Sequence, residues 1–280
     1  MRWALAGSIA RRPYRYEYRE PMASRAPRMK TLRKLAAGWR WRISYVIGTP
    51  IPADLDDDIA EIVAKVRRQT LTSAPRIAAL CDAVAYIVEN GIEGDIVECG
   101  VWRGGSMMAA ALQLQAKGDT SRDLYLFDTY TGMTEPGEAD EPSPYDGYSI
   151  HKRWRILNRA GKEWAGIPVE VVRANLETTG YPNERFHLVP GKVEDTLPGA
   201  APEKIALLRL DTDWYASTKH ELETLYPRLA EGGVLIIDDW GHYAGARKAV
   251  EEYFAEVGNR PLLSRIDYTG RIAVKRTADS

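Results

Sequence analysis

Two apolar segments of this 280-residue chain end in aspartates. The segment IALLRLDTDWY carries Asp211 and Asp213, and the segment GGVLIIDDW carries Asp238 and Asp239. Clustered carboxylates repel one another and are costly to bury unpaired, so they indicate a bound cation or strongly raised pKa values. No set of Cys or His residues accompanies them, which favours a hard cation, magnesium or calcium, over zinc. For a single aspartate at a strand end, helix capping is the alternative interpretation.

A glycine-rich stretch, ECGVWRGGSMM, follows the first predicted strand. Gly100, Gly104 and Gly105 let the backbone pass close to a ligand, and Ser106 can cap the helix that follows. The spacing GxxxGG differs from the GxGxxG of nicotinamide-dependent enzymes, and no phosphate-binding lysine of the GKS type follows. A tight turn without a ligand therefore remains an alternative at this point.

Carboxylates also end the first and second predicted strands. Asp128 lies at the end of the second strand, where a carboxylate typically accepts the ribose hydroxyls of an adenosine-containing cofactor. Glu98 ends the first strand, where it can attract the ammonium group of a cationic ligand. These two residues strengthen the interpretation of the glycine-rich turn as a cofactor site.

Helical and strand patterns alternate from Thr70 onward and would position these residues. Ser73 and Pro75 begin a helix that ends at Asn90-Gly91. Five predicted strands follow, with helices between them, in the segments DIVECG, DLYLFDTY, RFHLVPG, KIALLRLDTD and GGVLIIDD. The last segment, LLSRIDYTGRIAVKR, predicts a hairpin. We therefore expect an α/β fold, a doubly wound and mostly parallel sheet with an antiparallel C-terminal edge hairpin, whose end-of-strand carboxylates converge at one edge.

The composition describes an ordinary globular protein of the cytoplasm. Hydrophobic residues make up 45% and charged residues 28% of the chain, and no apolar stretch approaches the ~20 residues of a membrane-spanning helix. Cys81 and Cys99 both lie in apolar surroundings, which argues against a disulfide framework. These features predict a cytoplasmic protein with no membrane partner.

Charge is distributed unevenly along the chain. Residues 1–42 hold twelve Lys or Arg residues against two acids, and the remainder carries a net charge of −11. An acidic body argues against nucleic acid as the main ligand. We expect residues 1–45 to form a basic, poorly ordered N-terminal extension, with a docking arm as the alternative, and residues 46–280 to form a single domain.

Five motifs together resemble one known family, from about Thr70 to Phe254. They are GDIVECGVWRGGSMM, LYLFDTYTGM, GKVEDTLP, LRLDTDWYAST and GGVLIIDDW, and they are similar in order and spacing to those of the macrocin O-methyltransferase (TylF) family. That family includes the sugar O-methyltransferases of the novobiocin and mycinamicin pathways. The resemblance implies a class I methyltransferase fold, S-adenosylmethionine (SAM) as methyl donor, Mg²⁺ as metal and a deoxysugar hydroxyl of a secondary metabolite as acceptor.

The resemblance also implies roles for particular residues. The cofactor-binding residues would be Thr70, Glu98, Gly100, Val101, Ser106, Asp128, Thr129, Val193 and Glu194. The metal ligands would be Asp211, Asp238 and Asp239, with Asp213 as the base. Leu71 and Trp240 depart from the family, which commonly has methionine and tyrosine at these positions. These departures bear on how the acceptor fits more than on the chemistry of methyl transfer.

The acceptor site is expected to be aromatic. The aromatic residues that flank the expected mouth are Trp154, Trp164, Trp214, Tyr215, Trp240 and Tyr243, a composition suited to stacking on sugars, although core packing explains such residues equally well. His242 is either an acceptor contact or a surface residue. The segment 129–150 is interpreted as a lid, with a long surface loop as the alternative.

We expect a small-molecule sugar or glycoside as partner, and a homo-oligomer. Two other functions stay open on the sequence. One is a nicotinamide-dependent oxidoreductase, which shares the fold class but would need a GxGxxG motif and a catalytic Tyr–Lys pair or His. The other is a SAM-binding protein without catalytic activity.

Overall fold

One seven-stranded sheet organises the part of the chain that the structure describes, residues 51–143, 147–159 and 163–276 of a computed structural model. The strands are β1 (Asp95–Cys99), β2 (Leu124–Asp128), β3 (Phe186–Pro190), β4 (Ile205–Leu210), β5 (Leu229–Ile237), β6 (Ser264–Arg265) and β7 (Arg271–Val274). Their spatial order is β3-β2-β1-β4-β5-β7-β6. The first five pair in parallel, and β7 runs antiparallel to both β5 and β6. The predicted doubly wound sheet with an antiparallel edge is confirmed.

Helices cover both faces of this sheet. They are α1 (Asp57–Val66), α2 (Ala74–Glu89), α3 (Gly105–Ala116), α4 (Ile150–Leu157), α5 (Val169–Glu177), α6 (Val193–Thr196), α7 (Tyr215–Leu225) and α8 (Ala244–Val257). Short 3₁₀ turns occupy Glu138–Asp140, Asn183–Arg185 and Tyr226–Arg228. None of the helices described is long and apolar enough to cross a membrane.

The strands are apolar on both faces, as strands of a parallel sheet must be when helices cover each side. Along β1, Ile96 packs into the core formed with α1, α2 and α3, whereas Val97 packs into the core formed with α7 and α8. Successive residues of a strand point to opposite faces, so one short strand contributes to both cores. This double burial holds the ends of the parallel strands in fixed positions.

Local sequence signals explain where two helices begin. The Ser73 hydroxyl accepts a hydrogen bond from the backbone N–H of Arg76 at the start of α2. The predicted capping role of Ser106 in α3 is wrong. Gly104, in a left-handed conformation with φ of 85°, is the N-cap residue, so Ser106 already lies inside the helix. Only glycine adopts this conformation at no steric cost, which is why the turn ends there.

The chain reverses its direction of winding between β1 and β4, which lie side by side. The two strand ends nearly touch at this point. The Asp211 N–H donates to the Cys99 carbonyl at 2.8 Å, and a Cβ on Gly100 would lie 2.0 Å from the Asp211 carbonyl oxygen. Ligands of open α/β sheets bind outside such a switch point. Gly100 is therefore required for the two ends to approach.

All described residues belong to one compact unit of the chain. The predicted basic extension, residues 1–45, lies outside the described residues, as do residues 144–146 of the segment interpreted as a lid.

Candidate active site

Three aspartates at the ends of β4 and β5 bring their carboxylate groups together. Asp211, Asp213 and Asp239 each place an oxygen atom within 4.8 Å of the others. Asp213 has a φ of 71°, a left-handed conformation that residues other than glycine seldom adopt. This turn lets Asp211 and Asp213, on either side of Thr212, reach the same point. We call these three residues the carboxylate cluster.

The carboxylate cluster is electrostatically unfavourable on its own. Burial raises the pKa of Asp239 well above its usual range, and the charges of Asp213 and Asp211 raise it further. Burial also raises the pKa of Asp213, although a hydrogen bond with Asp239 opposes the change. The Asp239 Oδ2 atom is buried without a hydrogen-bond partner. The cluster must therefore retain a proton near neutral pH or bind a cation, and its oxygen-only donors fit a hard divalent ion.

Asp238 lies apart from the carboxylate cluster, although it was predicted as a metal ligand together with Asp211 and Asp239. Its Oδ1 atom accepts from Arg209 at 2.6 Å, and its Oδ2 atom accepts from Arg76. Adjacent residues at a strand end point to opposite sides, which separates Asp238 from Asp239. The structure thus brings together Asp211, Asp213 and Asp239, and it places Asp238 in an ion-pair network.

Arg209 is the centre of that network and joins the two predicted sites. Its guanidinium group is 2.6 Å from Glu98 and 2.8 Å from Asp211, and it also donates to the Thr72 hydroxyl at 2.9 Å. Arg209 is only 1% exposed. Because one side chain contacts Glu98, Asp211 and Asp238, the carboxylate proposed for the cofactor and those at the strand ends are held in one rigid unit.

Glu98 keeps one oxygen free to meet a ligand. Burial raises its pKa to about 8, and the Arg209 charge opposes this rise. Its Oε1 atom accepts from Arg209, whereas its Oε2 atom is buried without a hydrogen-bond partner. An ammonium group placed at Oε2 would satisfy that atom and favour the ionised form.

Negative charge exceeds positive charge in this part of the molecule. Six carboxylates share two guanidinium groups, namely Glu98, Asp211, Asp213, Asp238, Asp239 and Asp267 with Arg76 and Arg209. Buried charges are stable only when they are paired or neutralised. Two bound cations, a metal ion and a cationic cofactor, would offset this excess.

Asp128 occupies the position predicted for a ribose-binding carboxylate and also shapes the glycine-rich turn. Its Oδ2 atom accepts from the backbone N–H groups of Val101 at 2.7 Å and Trp102 at 3.0 Å. Its Oδ1 atom accepts from the N–H of Tyr130 at 2.8 Å. The Thr129 hydroxyl also lies 3.4 Å from Oδ1, but it donates at 2.7 Å to the Gly132 carbonyl. A carboxylate has about four acceptor positions, so Asp128 can accept a further bond from a ligand hydroxyl.

The other predicted cofactor residues lie around the same turn. Thr70 packs against the start of α3, where a Cβ on Gly105 would lie 2.7 Å from the Thr70 Cβ. Ser106 is buried in the first turn of α3. Val193 and Glu194 begin α6, just after β3, with Val193 buried and Glu194 exposed. These residues lie close to the carboxyl ends of β1 and β3, and their roles toward a cofactor stay predictions.

A cavity of about 390 Å³ opens beside the end of β2. Its lining residues are Thr129, Thr131, Gly132, Met133, Thr134, Asn158, Glu163, Gly191 and Lys192. The volume falls within the roughly 300–1,000 Å³ of small-molecule sites. Thr129 connects this cavity to Asp128, whereas no member of the carboxylate cluster lines it. The cavity therefore fits the nucleoside part of a cofactor better than it fits the reacting groups.

The described part of the segment 129–150 is fastened to the sheet edge. Asp140 is 1% exposed and accepts from the backbone N–H of Tyr215 at 2.7 Å. The Trp214 indole donates to the Thr134 carbonyl and the Trp154 indole to the Met133 carbonyl, each at 3.0 Å. This arrangement leaves the choice between lid and loop open.

The expected aromatic mouth is present in part. Trp214 packs edge-on against Trp164 and Tyr243, with ring centroids 6.1 Å and 5.2 Å apart. Tyr243 is 7% exposed. Burial raises its pKa, and the charges of Asp213 and Asp239 raise it further. His242 packs edge-on against Tyr243 at 4.5 Å. These rings therefore adjoin the carboxylate cluster, whereas Tyr215 binds Glu252 on α8.

Glu221 is a residue that sequence reasoning missed. It is completely buried, its Oε1 atom accepts from the Thr212 hydroxyl at 2.8 Å, and burial raises its pKa to about 8. Glu221 thereby holds Thr212, the residue between Asp211 and Asp213, against α7. Its position one turn from Thr218 and Leu225, on the buried face of α7, is the signal that could have identified it.

Arg209 and Thr72 were also missed. A charged residue within the apolar strand IALLRL predicts a buried ion pair, because an unpaired arginine would not be stable there. Thr72 carries no comparable signal, since its role depends on a contact with a residue 137 positions away.

Comparisons with known proteins identify a family that this chain matches. Residues 64–275 match the family model described as macrocin-O-methyltransferase (TylF). The chain is 38% identical, over 72% of its length and 73% of the relative, to 8-demethyl-8-(2,3-dimethoxy-alpha-L-rhamnosyl)-tetracenomycin-C 4'-O-methyltransferase of Streptomyces olivaceus. It is 31% identical, over 72% of its length and 73% of the relative, to demethyldecarbamoylnovobiocin O-methyltransferase of Streptomyces niveus.

A third relative and one solved structure extend the comparison. Mycinamicin III 3''-O-methyltransferase of Micromonospora griseorubida is 32% identical over 72% of this chain and 76% of the relative. The solved structure of the O-methyltransferase NovP superposes with a TM-score of 0.66 and 27% identity, covering 89% of this chain and 100% of NovP.

Proposed function

Because the chain belongs to the macrocin O-methyltransferase (TylF) family, we propose that it transfers a methyl group from SAM to a hydroxyl of a deoxysugar in secondary-metabolite biosynthesis. The relatives named above methylate, by their names, a rhamnosyl-tetracenomycin, demethyldecarbamoylnovobiocin and mycinamicin III. We further propose that residues 46–280 form the catalytic domain, and that the reaction requires Mg²⁺. Family membership favours this chemistry over that of a nicotinamide-dependent oxidoreductase.

The observation that carries the proposal is the Arg209 contact with both Glu98 and Asp211. Glu98 offers a free buried oxygen to an ammonium group, and Asp211 belongs to the carboxylate cluster. Methyl transfer requires donor and acceptor to be aligned, and holding them aligned lowers the activation barrier by several kcal/mol. A rigid link between the two sites supports that alignment.

Asp211 and Asp239 are the residues that would hold the metal. Asp238, the third ligand that the sequence predicted, forms ion pairs with Arg209 and Arg76 in the structure. A divalent cation there would lower the pKa of an acceptor hydroxyl and fix its position. SAM would supply the methyl group on a sulfonium centre that is already activated. Binding of both cations would compensate the excess of carboxylates described above.

Asp213 would act as the base. Burial raises its pKa, which favours uptake of the proton that the acceptor hydroxyl loses. Tyr243 lies next to Asp213. The Tyr243 hydroxyl forms no hydrogen bond with another described residue, so this hydroxyl can orient an acceptor. Trp214 and Trp164 would exclude water from the same side.

A test of the proposed function is mass spectrometry on a panel of acceptors incubated with SAM and Mg²⁺. The panel contains deoxysugar glycosides, nucleotide-linked deoxysugars, catechols and other phenols. We expect the mass of one methylene unit to be gained by sugar-containing acceptors. Methylation confined to phenols, with every sugar inert, contradicts the proposed acceptor class.

Cofactor binding gives a separate prediction. Asp128→Ala removes the carboxylate that can bond a ribose hydroxyl and that orients the N–H groups of Val101 and Trp102. We expect calorimetry to show SAM affinity reduced by about 1.5–3 kcal/mol, the worth of hydrogen bonds to a charged group. Asp119→Ala is the matched control, because Asp119 also accepts a backbone N–H bond, from Ser121, but precedes β2. Unchanged SAM affinity in folded Asp128→Ala rules out the ribose assignment.

A further inference from the structure

A group of arginines surrounds Trp240, which directly follows Asp239 of the carboxylate cluster. The guanidinium carbons of Arg271 and Arg247 lie 4.2 Å and 4.3 Å from the centroid of the Trp240 ring. Arg265 is the partner of Arg271 in the β6–β7 pairing. We call Arg247, Arg265 and Arg271 the arginine rim. These cation–π contacts hold two of its guanidinium groups against the indole.

The arginine rim is attached firmly to the active-site loop. The Thr269 hydroxyl donates to the Asp238 carbonyl at 2.7 Å, and the Gly241 N–H donates to the Thr269 carbonyl at 3.0 Å. Arg271 is paired with Ile237, the last residue of β5. Trp240 directly follows Asp239, and Arg271 begins β7 opposite the last residue of β5, so the arginine rim lies at the same edge of the sheet as the carboxylate cluster.

Positive charge in the arginine rim is poorly compensated. Arg271 donates through its Nη1 atom to the carbonyls of Asp267, Thr269 and Gly270, and Arg265 donates to the Asp267 carbonyl. Neither forms an ion pair with a carboxylate among the described residues. The Asp267 carboxylate bonds instead to Ser73 and pairs with Arg76. The Asp267 charge still acts on Arg271, but this carboxylate is engaged with Ser73 and Arg76 and forms no direct ion pair with either rim arginine.

Arg247 changes this balance little. It pairs with Glu251 on the same helix, at 2.9 Å, and both side chains are more than 40% exposed, so the pair contributes little. Burial lowers the pKa of Arg271 and the charges of Arg265 and Arg247 lower it further, whereas the Asp267 charge opposes the change. Like charges held together in this way would be stabilised by a bound anion. The chain after residue 42 carries a net charge of −11. A group of arginines at the sheet edge that holds the active site therefore stands out from its surroundings.

We propose that the arginine rim binds an anionic group carried by the acceptor, so that the preferred substrate is a deoxysugar joined to an anion. This inference rests on the proposed function and adds the charge of the acceptor. Arginine forms bidentate hydrogen bonds with phosphate and carboxylate groups, and its planar group matches their geometry. The anion has two possible sources, the diphosphate of a nucleotide-linked sugar and an acidic aglycone.

Arg271→Gln tests the proposal with three acceptors of one deoxysugar. They are a nucleoside diphosphate sugar, a glycoside with an acidic aglycone and a neutral methyl glycoside. Loss of a charged hydrogen bond is expected to raise KM for the anionic acceptors about 10- to 100-fold, with kcat nearly unchanged and the neutral acceptor unaffected. The anionic acceptor with the lower wild-type KM identifies the source of the charge.

Arg228→Gln is the matched control. Arg228 also donates to backbone carbonyls, those of Ala201 and Pro202, but it precedes β5 at the opposite edge of the sheet. It should leave KM unchanged for all three acceptors. Arg265→Gln, an exposed position, provides a second test if Arg271→Gln does not fold, with an increase in KM for the anionic acceptors again expected.

Calorimetric binding of the same three acceptors separates this proposal from the proposed function, because it needs no turnover. If no acceptor is methylated but the anionic acceptors bind wild type more tightly than Arg271→Gln, the arginine rim stands and the proposed reaction fails. If Arg271→Gln changes KM and affinity equally for neutral and anionic acceptors, or changes neither, the proposal is overturned. A change in oligomeric state alone, seen by size-exclusion chromatography, also overturns it.

Discussion

Arg209→Met is expected to lower the free energy of unfolding by about 3–5 kcal/mol, because it leaves the carboxylates of Glu98 and Asp238 buried without their cationic partner. Methionine fills a similar volume, so packing loss contributes little. Urea unfolding followed by circular dichroism measures the difference. Arg228→Met, in which only bonds to carbonyls are lost, should cost much less.

The pH dependence of this variant follows from Glu98. Burial raises its folded-state pKa to about 8, from an ordinary value of 4.5. Its contribution to stability is therefore present below the unfolded-state pKa and is lost as pH rises through the folded-state pKa. Removing Arg209 removes the interaction that opposes this rise. The deficit of Arg209→Met should therefore be larger at about pH 8 than at about pH 5. A deficit equal to that of Arg228→Met at both pH values contradicts the central role of Arg209.

Asp213→Asn is expected to reduce kcat by roughly 10²–10⁴, the usual contribution of a general base. Asparagine is nearly isosteric but cannot take a proton, so SAM affinity should be unchanged and added Mg²⁺ should not restore activity. Single-turnover measurements with calorimetry for both ligands check the result.

Asp211→Asn provides the contrast within the carboxylate cluster. Removing charge next to a metal should weaken Mg²⁺ binding, so excess Mg²⁺ should restore part of its activity. Restoration of Asp213→Asn by Mg²⁺ instead would make Asp213 a ligand and leave the base unidentified. The proximity of all three carboxylates in the structure makes this comparison necessary.

Much of the fold could be predicted because its signals are local. Apolar runs such as DIVEC and IALLRL define strands, and the glycines and the Ser73-Pro75 pair define where helices begin. The parallel order follows from the alternation of these elements. Even the convergence of Asp211 and Asp239 follows, because both lie at the carboxyl ends of neighbouring strands.

The rest of the site depends on contacts between distant segments. Asp238 and Asp239 are adjacent and chemically identical, and only the position of Arg76, 162 residues away, shows which of them forms the ion pair. The convergence of Asp213 with Asp239 was predicted, but the left-handed turn that achieves it is not encoded by a glycine and required the structure. Glu221 and Thr72 depend on tertiary packing in the same way.

The contacts of the proposed lid could not be predicted from the sequence either. The segment 129–150 was interpreted from its length and from its Gly, Pro and acidic residues, which indicate a loop but not its contacts. The structure fastens it through Asp140 and the Trp214 indole. These contacts join the segment to the start of α7, next to Asp213. The amino-acid composition of the segment cannot predict such contacts.

The measurement that tests the account most directly is methyl transfer from SAM to a deoxysugar acceptor, followed by mass spectrometry in protein treated with a chelator and then resupplied with Mg²⁺. We expect chelation to abolish formation of the methylated sugar and Mg²⁺ to restore it, because the carboxylate cluster then holds the cation that its charge and oxygen-only donors favour. Full activity in the metal-free protein contradicts the account, since no cation would then be organising Asp211, Asp213 and Asp239.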